Sequence, residues 1–227
     1  MDIKSSVCLI TGSSSRLGAK IAKSLADMGT RVIIHYNTGK EAAEKLQKTI
    51  PESAVIQFDL LKTELITQFY KKACSFFGPP NILINNASLF LKEKDEDMMR
   101  LHLEAPESLI NCFSKNPGKG CIINITDASV SPETVNYRGY YNSKKALSEL
   151  TKASALRLAP FIRVNEIAPG YVLKAQDGKQ FEKMKQIIPL KKTGTADDII
   201  KAVKYLIVAD YVTGQKMFVD GGLNLIN

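Results

Sequence analysis

Short, almost uninterrupted apolar runs recur along the chain: VCLIT (7–11), RVIIHY (31–36), AVIQF (54–58), NILIN (81–85), GCIINIT (120–126), IRVNEIA (162–168) and KMFVD (216–220). Runs this short and continuous predict strands covered on both faces, the pattern of a parallel sheet. Between them the apolar residues switch to a spacing of three or four. In LGAKIAKSLADMG (17–29), Ile21, Ala22, Leu25 and Met28 share one face and Gly29 supplies a stop. Similar patterns predict helices over 39–49, 62–77, 93–115, 139–159 and 195–208. Strands alternating with helices imply an α/β, Rossmann-like doubly wound sheet of about seven parallel strands with helices on both faces. No composition break interrupts the alternation, so residues 1–227 read as a single domain.

Charge and cysteine content change this picture little. The net charge is +8, but the lysines are dispersed, with doublets only at 71–72, 144–145 and 191–192. No basic stripe is interleaved with aromatics, so the balance reads as a solvated surface and nucleic acid is not an expected partner. The opening MDIKSSVCLITGSSS has too short an apolar run for a signal peptide or a membrane span, which points to a cytoplasmic protein with no membrane partner. Cys8, Cys74, Cys112 and Cys121 lack Cys-x-x-Cys spacing and read as core thiols of a reducing compartment, neither disulfides nor metal ligands.

Candidate chemistry begins at TGSSSRLG (11–18), between the first strand and the first helix. Gly12 allows a tight turn, Gly18 allows close helix packing, and the helix N-terminus offers N–H groups to a pyrophosphate. Gly12, Ser14, Arg16, Leu17 and Gly18 are therefore candidate cofactor contacts. Arg16 stands where a third glycine would be unremarkable, and its guanidinium can reach phosphate oxygens. At the end of the second strand, HYNTGK (35–40) offers Tyr36, Asn37 and Thr38 and no acid before Glu41. An acid there would bind a ribose 2′-hydroxyl and repel a 2′-phosphate, so its absence favours NADP(H); a neutral surface turn would leave the choice open. GYYNSKKAL (139–147) holds two tyrosine–lysine pairs four residues apart, Tyr140 with Lys144 and Tyr141 with Lys145. Each shares a helix face, but the two faces differ by about 100°, and spacing alone does not choose between them.

These motifs continue in order: FDL (58–60), NNAS (85–88), IINIT (122–126), RVNEIAPG (163–170) and VDGG (219–222). Together with Thr-Gly-x3-Arg-x-Gly and Tyr-x3-Lys, they resemble the short-chain dehydrogenase/reductase family over essentially the whole chain. The resemblance selects Tyr140 and Lys144, whose small neighbours Ser143 and Ala146 fit the family pattern. It leaves Tyr141 and Lys145 on another face, toward solvent or a subunit contact. It implies that Asp59, Leu60, Asn86, Ala87, Ser88, Pro169 and Gly170 also contact the cofactor, and that Lys144 both holds its ribose and lowers the pKa of the Tyr140 phenol. Family members are usually tetramers or dimers, so a homotetramer or homodimer is implied. The segment 171–190 takes the place of the substrate flap.

Two departures narrow the substrate. The serine usually found thirteen residues before the tyrosine is Asp127, with Thr126 and Ser129 beside it. A carboxylate there repels an ordinary ketone oxygen unless protonated and suits a substrate that offers N–H donors or takes up a proton. Phe90 follows Ser88 by two residues, where a phenyl ring could stack on a flat heterocycle or simply pack under a loop. Arg16, HYNT, Ser88, Phe90 and Asp127 together resemble the pteridine reductase branch. That branch implies hydride transfer from NADPH to a dihydropterin or dihydrofolate, with Arg16 and Phe90 on the substrate and Asp127, Tyr140 and Lys144 handling the proton. The asparagine that often holds a relay water is replaced by His102. Histidine titrates near neutrality, so it could relay protons, but a lone helical histidine is more often structural and stays outside the catalytic set. A 3-oxoacyl-carrier-protein or other carbonyl reductase is the alternative activity, and a catalytically weak NADP(H)-binding sensor is the alternative of another class.

Overall fold

The seven apolar runs form seven parallel strands of one sheet: β1 (Val7–Ile10), β2 (Arg31–Tyr36), β3 (Ser53–Gln57), β4 (Ile82–Asn85), β5 (Gly120–Ile125), β6 (Ile162–Pro169) and β7 (Lys216–Val219). The structure is a computed structural model that describes residues 2–90, 94–128, 137–172 and 178–226, with the backbone alone for 178–180. The strand order is β3-β2-β1-β4-β5-β6-β7. Every position of β1, β4 and β5 is buried, which is why these segments are continuously apolar.

Side chains alternate across the pleat into two cores. Cys8, Ile10 and Ile34 pack with Ile21 and Leu25 of α1 (Arg16–Ala26) and with Ile199 and Val203 of α8 (Ala196–Val208). Leu9, Ile33 and Leu83 pack on the other face with Phe69 of α3 (Ile66–Phe77) and Leu109 and Phe113 of α5 (Ala105–Phe113). α2 (Lys40–Gln47) follows β2, and the 21-residue α6 (Arg138–Leu158) precedes β6. Winding reverses direction between β1 and β4, so a crevice opens at the carboxyl ends of these strands. Among the described residues no helix is long and apolar enough to cross a membrane.

Two elements differ from the sequence expectation. The helix expected over 93–115 is broken into α4 (Asp95–Met99), a π-helical turn (Arg100–Glu104) and α5. Pro106 explains the break: it has no N–H for the carbonyl of residue 102, and its ring crowds that carbonyl, so the chain widens by a residue. The flap region contains α7 (Gly178–Ile187), which the periodicity did not single out; residues 173–177 of that region lie outside the described residues.

Candidate active site

The nucleotide-facing wall begins at the β1–α1 turn. Gly12 has φ +62°, and a Cβ there would stand 2.8 Å from the Ala87 Cα. A Cβ on Gly18 would stand 2.5 Å from the Gly12 carbonyl oxygen and 2.6 Å from Asn86 Nδ2. Both positions therefore exclude a side chain, and the first turn of α1 lies directly over the loop. Arg16 has φ +51°, the left-handed region that suits glycine. A non-glycine residue held there costs on the order of 1 kcal/mol, which points to a use for its guanidinium.

The loop after β4 buttresses this turn. Asn86 Nδ2 donates to the carbonyls of Thr11 (2.9 Å) and Gly12 (3.1 Å), and the N–H groups of Asn86 and Ala87 both donate to Thr11 Oγ1. Asn86 thus lines the cavity while its amide is committed to shaping the loop. His35, which sequence reasoning passed over, completes the support. Its Nδ1 accepts from Gly12 N–H at 2.9 Å and its Nε2 donates to the Phe58 carbonyl at 3.0 Å. Burial lowers its pKa to about 4, with the Phe58 carbonyl and Asp59 opposing, so it stays a neutral acceptor for the glycine turn. Its signal in the sequence was a lone polar ring inside an apolar strand.

The chemical end lies where β5 meets the first turns of α6. Tyr140 Oη donates to Asp127 Oδ2 at 2.7 Å. Lys144 is 3% exposed, donates from Nζ to the Ile125 carbonyl at 3.0 Å and stands 5.7 Å from the centroid of the Tyr140 ring. Burial lowers the Lys144 pKa to about 8, partly opposed by the charge of Asp127. The expected lowering of the Tyr140 pKa is reversed. Burial first, then the charge and hydrogen bond of Asp127, hold the phenol well above its ordinary value, with a Ser88 hydrogen bond acting the other way. The carboxylate next to the hydroxyl outweighs an ammonium placed over the ring. The phenol therefore retains its proton at neutral pH, as a proton donor requires.

Every site residue named from the sequence lines one cavity of about 840 Å³. The Gly-Ser turn, Arg16 and residues 36–38 occupy one end, and Asp127, Tyr140 and Lys144 the other. Phe90 is 54% exposed on this wall and does not pack under a loop. Its ring stacks on Tyr137 (centroids 4.3 Å apart, planes at 18°) and meets the edge of Tyr140 at 4.8 Å. Tyr141 corrects an expectation. It lines the same cavity with its ring against Tyr140 at 5.6 Å, because the first turn of α6 forms the rim and a large ring reaches around it. Lys145 is exposed. His102 is buried, with its pKa lowered to about 2 by burial and by the Lys144 charge, so it does not titrate near neutrality. Ser129 lies outside the described residues. Tyr137, Tyr171, Val172 and Phe181 also line the cavity and were not named from the sequence.

A glycine cradle at the topological switch point, continuous with a buried tyrosine–lysine pair, defines the class: a nicotinamide-nucleotide-dependent oxidoreductase. The chain belongs to the short-chain dehydrogenase/reductase family, and residues 12–224 match the family model described as Enoyl-(Acyl carrier protein) reductase. Among curated proteins it is 31% identical to the 3-oxoacyl-acyl-carrier-protein reductase FabG of Staphylococcus epidermidis, covering 95% of this chain and 97% of that one. It is 29% identical to 3beta-hydroxysteroid dehydrogenase 1 of Eggerthella lenta, covering 99% and 95%. Among solved structures it matches FolM Alternative dihydrofolate reductase 1 from Brucella canis, complexed with NADP, with TM-score 0.93, 31% identity and coverage of 99% and 96%. The Brucella suis FolM structure, also with NADP, matches with TM-score 0.93. The protein is thus an NAD(P)-dependent reductase of this family.

Proposed function

We propose that the protein is an NADPH-dependent reductase of a pterin, of dihydropterin or dihydrofolate type. The observation that carries this reading is the 2.7 Å hydrogen bond from Tyr140 to Asp127, at the position where a serine would face a ketone. An acceptor-only carboxylate repels a ketone oxygen but accepts N–H bonds from an aminated heterocycle. The likeness to the two FolM structures supports the same substrate class.

The turn at 12–18 fits a dinucleotide, since its two glycines let α1 and the loop after β4 close directly onto a turn whose backbone lines the cavity. The residues that would hold NADPH are those of the turn, Tyr36, Asn37 and Thr38, Asp59 and Leu60, residues 86–88, Lys144, Pro169 and Gly170; when bound it supplies the hydride. Arg16 and the acid-free segment 36–38 favour the 2′-phosphorylated form, as does the NADP in the FolM complexes. This chain's own residues handle the proton. Tyr140 passes its phenolic proton to the ring nitrogen next to the reduced carbon, and Lys144 supports the phenolate across the ring. Asp127, hydrogen-bonded to the phenol, accepts from substrate N–H groups. Phe90 supplies the stacking surface.

The near-equal identity to FabG favours a second reading, reduction of a 3-oxoacyl thioester, which Asp127 opposes. Asp127→Ser separates the two. Dihydropterin reduction falls by about tenfold or more, the scale of one charge-assisted hydrogen bond, while the NADPH Kd from fluorescence titration stays within about twofold. A matching loss of cofactor binding would place Asp127 in the cofactor site and sink its substrate role. The exposed Leu156 on α6, Tyr205 and Val208 on α8 and Phe218 on β7 suit self-association through the long helices and the last strand.

A further inference from the structure

His102 sits on the π-helical turn, 1% exposed, between the loop after β4 and the catalytic helix α6. Its Nε2 lies 3.2 Å from the Leu89 amide nitrogen. A backbone N–H can only donate, so Nε2 is the acceptor and the imidazole proton resides on Nδ1. Nδ1–H then donates to Ser143 Oγ at 2.9 Å, and Ser143 passes its own hydrogen to the Tyr140 carbonyl at 2.8 Å. One imidazole therefore ties the start of the substrate wall to the residue beside Lys144.

Ser88 is the adjustable member of this set. Its Oγ is 3.0 Å from Nε2 of His102, whose ring meets that of Tyr140 edge-on with centroids 5.5 Å apart. The Ser88 hydroxyl acts on the Tyr140 phenol, lowering its pKa against the effect of burial. A hydroxyl has a single hydrogen, and here it has two acceptors.

We propose that His102 is a positioning residue that holds the Ser88 hydroxyl as a rotor between its own Nε2 and the Tyr140 oxygen. While Tyr140 keeps its proton and donates to Asp127, Ser88 O–H points to Nε2. When Tyr140 releases its proton to the substrate, the phenolate becomes the stronger acceptor, and Ser88 O–H turns to it. Leu89 N–H continues to satisfy Nε2, so no buried nitrogen is stranded by the turn. No covalent bond changes in this motion, and neither Ser88 nor His102 loses its proton. The inference rests on Tyr140 as the proton donor of the proposed function, not on which substrate receives the proton.

Imidazole ¹⁵N NMR tests the arrangement directly, because the chain has only two histidines. In the wild-type protein, one neutral histidine carries its proton on Nε2 (His35) and the other on Nδ1 (His102). Two histidines in the same tautomer, or one that becomes an imidazolium across neutral pH, would overturn the proposal without any variant having to fold. The kinetic test is a double-mutant cycle of Ser88→Ala and His102→Phe. It uses whichever of a dihydropterin, a dihydrofolate or an acetoacetyl thioester the enzyme turns over fastest. Each single change lowers kcat by about tenfold, and the double variant loses about tenfold as well, because the two act as one unit. In His102→Phe, whose side chain does not line the cavity, KM for NADPH moves by less than about twofold. Losses that multiply to about a hundredfold would show that His102 does not act through Ser88. Failure of the pterin reading appears in the choice of substrate, whereas failure of the rotor appears in the tautomers and in additivity.

Discussion

Lys144→Met removes a positive charge that the fold holds at a cost. Burial lowers the lysine pKa from 10.5 to about 8, so folding at neutral pH must strip water from an ammonium. The unfolded chain binds more protons than the native one between these two values, so native stability rises as pH climbs through that window. The depression corresponds to about 3 kcal/mol of destabilisation near pH 7 and shrinks to about 1 kcal/mol near pH 9.5. Methionine keeps the length and apolar bulk but strands the Ile125 carbonyl that Nζ satisfies at 3.0 Å, which costs about 1–2 kcal/mol. The variant is therefore more stable than wild type by about 1–2 kcal/mol near pH 7, and the gap closes to about zero near pH 9.5. Urea denaturation of both proteins across that pH range measures the gap, and the variant's reductase activity is lost. A gap that does not change with pH, or a less stable variant at neutral pH, would refute the account of Lys144 as a functionally retained buried charge.

Two further outcomes follow from the cofactor end. Gly18→Ala forces a Cβ to within 2.5 Å of the Gly12 carbonyl, so NADPH affinity by fluorescence titration drops by about tenfold or more; unchanged affinity would remove the cradle from the argument. His35→Phe deletes the acceptor for Gly12 N–H and with it a source of acid sensitivity. The native imidazole titrates at about 4 against 6.5 in the unfolded chain, so wild-type stability is lost as pH falls through that interval. The loss attributable to His35 is about 3 kcal/mol, and the variant's stability curve is flatter by that amount; superimposable curves would contradict a neutral buried His35.

The sheet was legible because all seven strands are short, largely apolar runs closed off by turn residues, and in the central strands β1, β4 and β5 burial at every position keeps the runs nearly continuous. The cavity wall was legible for a similar reason. Its glycines, Asn86, Asp127, Tyr140 and Lys144 stand at strand ends or helix starts that the order of the motifs already identifies. What escaped depends on tertiary contact. His102 meets Ser88 and Ser143 across separations of 14 and 41 residues, and the widened turn that brings it there arises from Pro106, whose position inside the expected helix was a usable sign. The direction of the Tyr140 shift was misread because spacing reports which charges are near, but not how deep the phenol lies or which of two charges touches its oxygen. Tyr141 was assigned outward because the resemblance selected Tyr140 and the helix angle then turns its neighbour to another face, although a ring on the first turn of a helix at a cavity rim can still reach inward. The helix in the flap region carries four lysine and glutamate residues between positions 179 and 185, and its weak apolar face gave the periodicity little to register.

Specificity at the Asp127–Tyr140 pair is the central claim, and one comparison addresses it directly: NADPH oxidation by the wild-type protein with a dihydropterin, a dihydrofolate and an acetoacetyl thioester under identical conditions. The account predicts that kcat/KM for one of the two pterin substrates exceeds that for the thioester by at least about a hundredfold, the discrimination expected when a carboxylate faces a ketone oxygen instead of an N–H donor. Turnover of the thioester alone would contradict it and assign the site to carbonyl reduction.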